Sequence, residues 1–127
     1  MAHHSRLAGF IIDSQGDDLD ASAKFWSSAL GIAIADPDSG GTGQYAEFGG
    51  APGDLHVEVQ KVEHPSRVHL DIETDDIDAE VARLEALGAT RVAFVKRWWV
   101  MQAPDGQRFC VVRMREDNNR PAPQRWD

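Results

Sequence analysis

At two places in this chain a histidine and a carboxylate fall on one side of a strand-like alternation. In residues 55–62 the apolar Leu55, Val57 and Val59 alternate with His56, Glu58 and Gln60. In residues 68–73 Val68, Leu70 and Ile72 alternate with His69, Asp71 and Glu73. A strand sends successive side chains to opposite faces, so each stretch has one apolar and one polar face. A polar face of this kind can move protons, ligate a metal ion or anchor a ligand. The same alternation also arises where an antiparallel sheet turns one face to water.

Cys110 is the single cysteine, and in residues 107–114 it shares a face with Arg108 and Val112, opposite Phe109 and Val111. A thiol near an arginine and a histidine is a candidate nucleophile. In the run Phe109-Cys110-Val111-Val112 it is equally a small buried apolar residue. Trp98 and Trp99 are adjacent, so within a strand one of them joins the polar face and offers an aromatic wall, unless both fill volume between sheet and helix. The loop Ser39-Gly40-Gly41-Thr42-Gly43 lacks the Gly-Lys-Ser/Thr ending of a phosphate loop and reads as a hairpin connection. His3 and His4 are assigned no role.

These residues need elements to position them. Leu19, Ala23, Trp26 and Leu30 form a helical stripe that Asp18 opens and Gly31 closes, and Ile77, Val81, Leu84 and Leu87 form a second ending at Gly88. Strands are predicted over residues 7–13, 32–35, 44–48 and 55–62, and again over 68–73, 91–95, 98–102 and 107–114. Pro104-Asp105-Gly106 supplies the last hairpin turn, and Pro65 marks a seam. The two halves echo each other: Asp17-Asp18-Leu19-Asp20-Ala21 returns as Asp75-Asp76-Ile77-Asp78-Ala79, and Ala29-Leu30-Gly31 as Ala86-Leu87-Gly88. An internal duplication follows, with module one over residues 6–62 and module two over 67–114 inside one domain, 6–114.

The 127 residues are 42% hydrophobic, with 13 Lys and Arg against 21 Asp and Glu and a net charge of −8. That length supports one domain burying about two thirds of its unfolded surface. No basic stripe forms, so no nucleic-acid partner is expected. No apolar run approaches the ~20 residues of a membrane span. A lone cysteine cannot form an internal disulfide and suits a reducing, cytoplasmic setting, and residues 1–6 lack the apolar core of a secretory signal. The polar, Pro-containing residues 115–127 are expected to be a poorly ordered tail, with Trp126 able to dock on the body or on a neighbour.

The duplicated βαβββ order, Phe25-Trp26 late in the first helix, the Ala-Leu-Gly helix endings and the Pro104-Asp105-Gly106-Gln107 turn together resemble the vicinal oxygen chelate superfamily, which includes glyoxalase I, bleomycin-resistance proteins and extradiol dioxygenases. The resemblance spans residues 6–114 and is nearest to small glyoxalase-like proteins. It implies an α+β fold in which two βαβββ modules form curled mixed sheets around a concave cup, with the helices outside. In metal-binding members of the superfamily four ligands, typically His or Gln, Glu, His and Glu, come from the first and last strands of each copy. The resemblance sets them at Ile11, Glu58, His69 and Cys110, with His56 or Gln60 replacing Glu58 if the register differs. His69 stands seven residues before Asp76, as the family's ligand does. Ile11 has no donor atom, and Cys110 stands where a Glu would follow the turn, so the usual metal site is incomplete. A Glu58, His69 and Cys110 set would favour zinc. The family's topology also makes the first and last strands of a copy neighbours, which brings Cys110 near His69 as a catalytic pair.

The resemblance and the residues lead to one expectation. The protein binds a small aromatic or apolar molecule without a cofactor or a complete metal site, walled by Trp98 or Trp99 and anchored by His56, Glu58, His69, Asp71 and Arg108. The alternative is a divalent-metal-dependent lyase, isomerase or dioxygenase in which His69 and Glu58 hold the ion. Many relatives pair two chains, so a homodimer is expected.

Overall fold

The computed structural model describes residues 2–116 and 118–127. Its elements run β1 (His3–Gln15), α1 (Leu19–Leu30), β2 (Ala33–Asp36), β3 (Tyr45–Gly49), β4 (His56–Val62), β5 (Arg67–Thr74), α2 (Ile77–Ala86), β6 (Thr90–Val95), β7 (Trp98–Gln102), β8 (Arg108–Arg113) and β9 (Gln124–Trp126). The order βαβββ occurs twice, and the fold class is α+β. Neither described helix is long and apolar enough to cross a membrane.

The duplicated Asp motif has one structural meaning in both copies. Asp18 accepts a hydrogen bond from the Ala21 amide and Asp76 accepts one from the Ala79 amide, so each satisfies an amide that has no partner within its own helix. Gly31 ends α1 in the left-handed region at φ 69°, where a glycine carries no steric penalty.

The chain forms two compact units. In the unit Gly9–Val68, β1 runs parallel to β4, β4 antiparallel to β3, and β3 antiparallel to β2. Ala23 of α1 packs with Ile12, Ala46, Phe48, Val57 and Val59, and Leu19 and Trp26 flank that cluster. Leu30, the last member of the predicted stripe, is exposed. Gly9 faces His56 across the parallel ladder, and a Cβ there would lie 1.8 Å from the His56 carbonyl oxygen, so only glycine fits this close approach.

The other unit comprises the chain up to Ala8 and from His69 onward. Here β5 pairs parallel with β8, and β8 and β7 and then β7 and β6 pair antiparallel. Val81 and Leu84 of α2 pack with Met101, Phe109 and Val111, and Ile72 joins from β5. Residues 103–107 form the predicted hairpin turn, with Gly106 at φ 90° and the Gln107 amide donating to Asp105.

The tail differs from its expected disorder. β9 pairs antiparallel with the start of β1, setting His3 opposite Trp126 and Ser5 opposite Gln124. The Trp126 Nε1–H donates to Ser5 Oγ at 2.8 Å, and the Arg83 guanidinium lies 3.9 Å from the Trp126 ring centre. Polar composition argues against a packed core, but this segment is held by ladder bonds and buried counter-charges rather than by apolar area.

Candidate functional site

In the unit Gly9–Val68 the polar face of β4 gains a partner from β3. Antiparallel pairing sets Glu47 opposite Glu58. Two carboxylates directly across a ladder repel, and His56 lies against both. Its Nε2 is 2.5 Å from Glu58 Oε2 and its Nδ1 is 3.6 Å from Glu47 Oε1. The three side chains are 17%, 13% and 26% exposed, shielded enough for the charges to matter. Gln60 donates to the Tyr45 hydroxyl on the same face. The group can hold or transfer a proton at His56, or grip a polar ligand. Glu47 was not among the residues that the sequence singled out, because strand register is not written in the alternation of either strand alone.

In the other unit β5 and β8 bring His69, Asp71 and Cys110 together. The parallel register sets Asp71 directly beside Cys110, and His69 precedes Asp71 by two on the same face. One potential donor atom from each lies within 4.8 Å of the others, with His69 Nε2 3.6 Å from Asp71 Oδ1. Asp71 and Cys110 are both 8% exposed, and the His69 side chain is 12% exposed. Arg108 shares this face and donates its Nε–H to Gln102.

The tryptophan pair separates as the alternation requires. Val100 pairs with Cys110, so Trp98, two residues away, belongs to the Cys110 face. Trp99 stands on the α2 side, where it packs against the core cluster, meets Phe94 edge-to-face at 5.2 Å and has Arg91 over its ring. Trp98 is therefore the member of the pair on the polar face.

Glu73 continues the His69 and Asp71 face, but arginines seal it. It is 1% exposed and accepts from Arg6 Nε at 2.6 Å and from Arg120 Nη1 at 2.8 and 2.9 Å. Glu80 on α2 is fully buried, bonded by Arg83 Nε and Nη2 and by His3 Nε2. Burial alone would push the Glu80 carboxyl up, yet the hydrogen bonds from Arg83, His3 and Ser5 hold it below the ordinary carboxylate range. His4 is paired with Asp75. His3 and His4 thus have structural partners that nothing in their sequence context announced.

A further cleft of about 450 Å³ opens in the unit Gly9–Val68, bordered by Gly16, Asp17, Gln44, Lys61 and Glu63. Its lining comes from turns and strand ends, which carry no alternation to find it by.

The four-ligand metal arrangement implied by the family resemblance does not fit. Ile11 is a buried apolar side chain opposite Glu58, and Glu58 is already bonded to His56.

A profile of the glyoxalase-like domain matches residues 10–112. Among solved structures, methylmalonyl-CoA epimerase from Mycobacterium tuberculosis is similar at a TM-score of 0.57 and 14% identity, over 87% of this chain and 91% of that one. A glyoxalase/bleomycin resistance protein/dioxygenase superfamily member from Vibrio splendidus 12B01 gives 0.51 and 19%, over 84% and 99%. A mutant 4-hydroxymandelate synthase from Streptomyces coelicolor gives 0.58 and 15%, over 93% of this chain and 40% of that one. At these identities the likeness is one of fold. No curated protein sequence matches significantly.

Proposed function

The chain belongs to the glyoxalase-like domain family, with the vicinal oxygen chelate fold, and from that premise we propose that it binds a small aromatic or apolar molecule without the family's four-ligand metal site. The polar strand faces are the binding surfaces of this reading. Trp98 supplies the aromatic wall, and His69, Asp71 and Arg108 the polar anchors beside it. His56 and Glu58 are the corresponding anchors of the first module.

One observation carries the reading. The side chains of His56, Glu58, His69 and Asp71 expose only 17%, 13%, 12% and 12% of their surface. A merely solvated polar face would leave them open. Largely shielded polar groups on strand faces, with Trp98 on the polar face of the second module, are consistent with the general makeup of small-molecule sites, which are apolar walls with a few placed polar groups. The reading extends to a cytoplasmic homodimer, supported by the lone Cys110 and by exposed Phe25, Leu87 and Phe94. The alternative that joins Glu58 to His69 in a metal-dependent enzyme has less support, because Glu58 is engaged by His56.

The test is a library of small aromatic acids and amides titrated against intrinsic tryptophan fluorescence in the presence of a chelator. A ligand is expected to quench the signal, and Trp98→Phe to remove most of that quenching. His69→Ala should weaken affinity about tenfold, the loss of one good polar contact. If no compound changes fluorescence or melting temperature, or if both variants bind as the wild type does, the reading fails.

A further inference from the structure

The polar face of the second module is ordered in rows across β7, β8 and β5. Gln102 pairs with Arg108 and Val100 with Cys110 on one side of β8, and Asp71 pairs with Cys110 on the other. His69 and Arg108 each stand one position before the Leu70 and Phe109 pair, so they share the row of Gln102. Trp98 lies on β7 two rows away, its Cα about 13 Å from that of Gln102 at the usual rise of a strand. Resting on the small-molecule reading, we propose that Arg108 makes this face selective for an aromatic monocarboxylate, whose carboxylate takes the end of the guanidinium while its ring lies toward Trp98.

The first support is how Arg108 is held. Its Nε–H donates to Gln102 Oε1 at 2.9 Å. A guanidinium presents its N–H groups in a planar fork, and with Nε engaged, the two Nη groups at its end remain for a carboxylate to take by parallel bonds. Neither Nη donates to a described residue. Arg83 and Arg120 of the same unit differ, because their Nη groups are spent on Glu80 and Glu73. Arg108 is also half-buried, where a charge-assisted bond gains over its counterpart in open water. Gln102 is then a positioning residue that fixes which edge of the fork is offered.

The second is charge. The chain carries a net charge of −8, so an anion approaches against repulsion except where a cation faces it. Glu73 of this face is covered by Arg6 and Arg120. Asp71 borders the row of Arg108, with its Oδ1 3.6 Å from His69 Nε2. A ligand with a second negative charge would meet that carboxylate, which restricts the preference to one charge.

The third is span. Two rows separate the guanidinium from the aromatic wall, so the acid and the ring of the ligand are joined through a short spacer.

Fluorescence titration of 3-phenylpropanoate against 3-phenylpropanamide, in the presence of a chelator at neutral pH, compares two ligands alike in shape and unlike in charge. The acid is expected to bind about tenfold tighter than the amide, and that ratio should shrink as salt is added. Arg108→Gln should bring the two affinities to within about twofold of each other, and Gln102→Leu should lower the ratio by releasing the guanidinium, with circular dichroism confirming the fold. 2-Phenylsuccinate should bind no tighter than the monocarboxylate. Equal affinity for acid and amide in the wild type would overturn the inference, and so would an acid preference that survives Arg108→Gln. An unchanged ratio in Gln102→Leu would overturn the positioning role, and tighter binding of the succinate the restriction to one charge. If the amide binds as well as the acid and Trp98→Phe removes its quenching, this inference fails and the small-molecule reading stands. If neither compound binds, the inference fails as well, and the reading then rests on the neutral compounds of the library.

Discussion

Three of the buried carboxylates differ in the side chains that lie beside them. Glu73 and Glu80 are surrounded by arginine, and for Glu80 also histidine, whereas Asp71 lies beside a histidine and a thiol. The first two are structural charges: breaking one partner leaves the other buried and uncompensated. The carboxyl of Glu80 is held below its ordinary value of 4.5 in the folded chain. It therefore contributes stability that is fully present above that ordinary value and is lost as pH falls through the lower, folded value. Glu80→Gln should cost about 1–3 kcal/mol at neutral pH. The gap between variant and wild type should narrow at about pH 3, where more of the wild-type carboxyl is protonated in both states. Urea denaturation at the two pH values measures this, and a gap independent of pH would refute the role given to the charge.

At the scale of elements, the duplication is a duplication of rules. Each copy opens its helix with an aspartate cap and runs its first strand parallel to its last. Asp18→Ala and Asp76→Ala should each lower stability by about 1 kcal/mol. Equal effects in thermal melts would reflect the repeated cap, and no change in either would show the caps to be redundant. The copies differ in what lies on their polar faces: the first sets His56 between two glutamates, and the second sets His69 by an aspartate and a cysteine. A repeat can thus keep its cap and its ladder while the two polar faces diverge.

For the whole molecule, the exposed apolar side chains Phe25, Leu87 and Phe94 support the proposed homodimer. Light scattering coupled to size exclusion should give twice the chain mass at micromolar concentration. A monomer mass would remove the homodimer from the reading. The ends of the chain are tied by the β1 and β9 pairing and by Arg120 on Glu73, so truncation after Arg113 would strip Glu73 of one arginine and β1 of one neighbour.

The sequence by itself determined the elements. Helix stripes, caps, strand alternation and the 103–107 turn depend on residues within a few positions of one another, and the elements of both βαβββ copies appear near where the periodicities put them, whereas β9 and the exposure of Leu30 and Leu87 were not foreseen. It also determined that His69, Asp71 and Cys110 belong to polar strand faces, since alternation is local. Only the tertiary structure decided which faces meet. Register placed Glu47 opposite Glu58 and Asp71 beside Cys110, and it sent Trp98 rather than Trp99 to the polar face. Charge pairing across 47 residues of sequence sealed Glu73 with Arg120, and pairing across 77 buried His3 on Glu80. Such contacts depend on which strands lie side by side and in what register, and no local pattern encodes either.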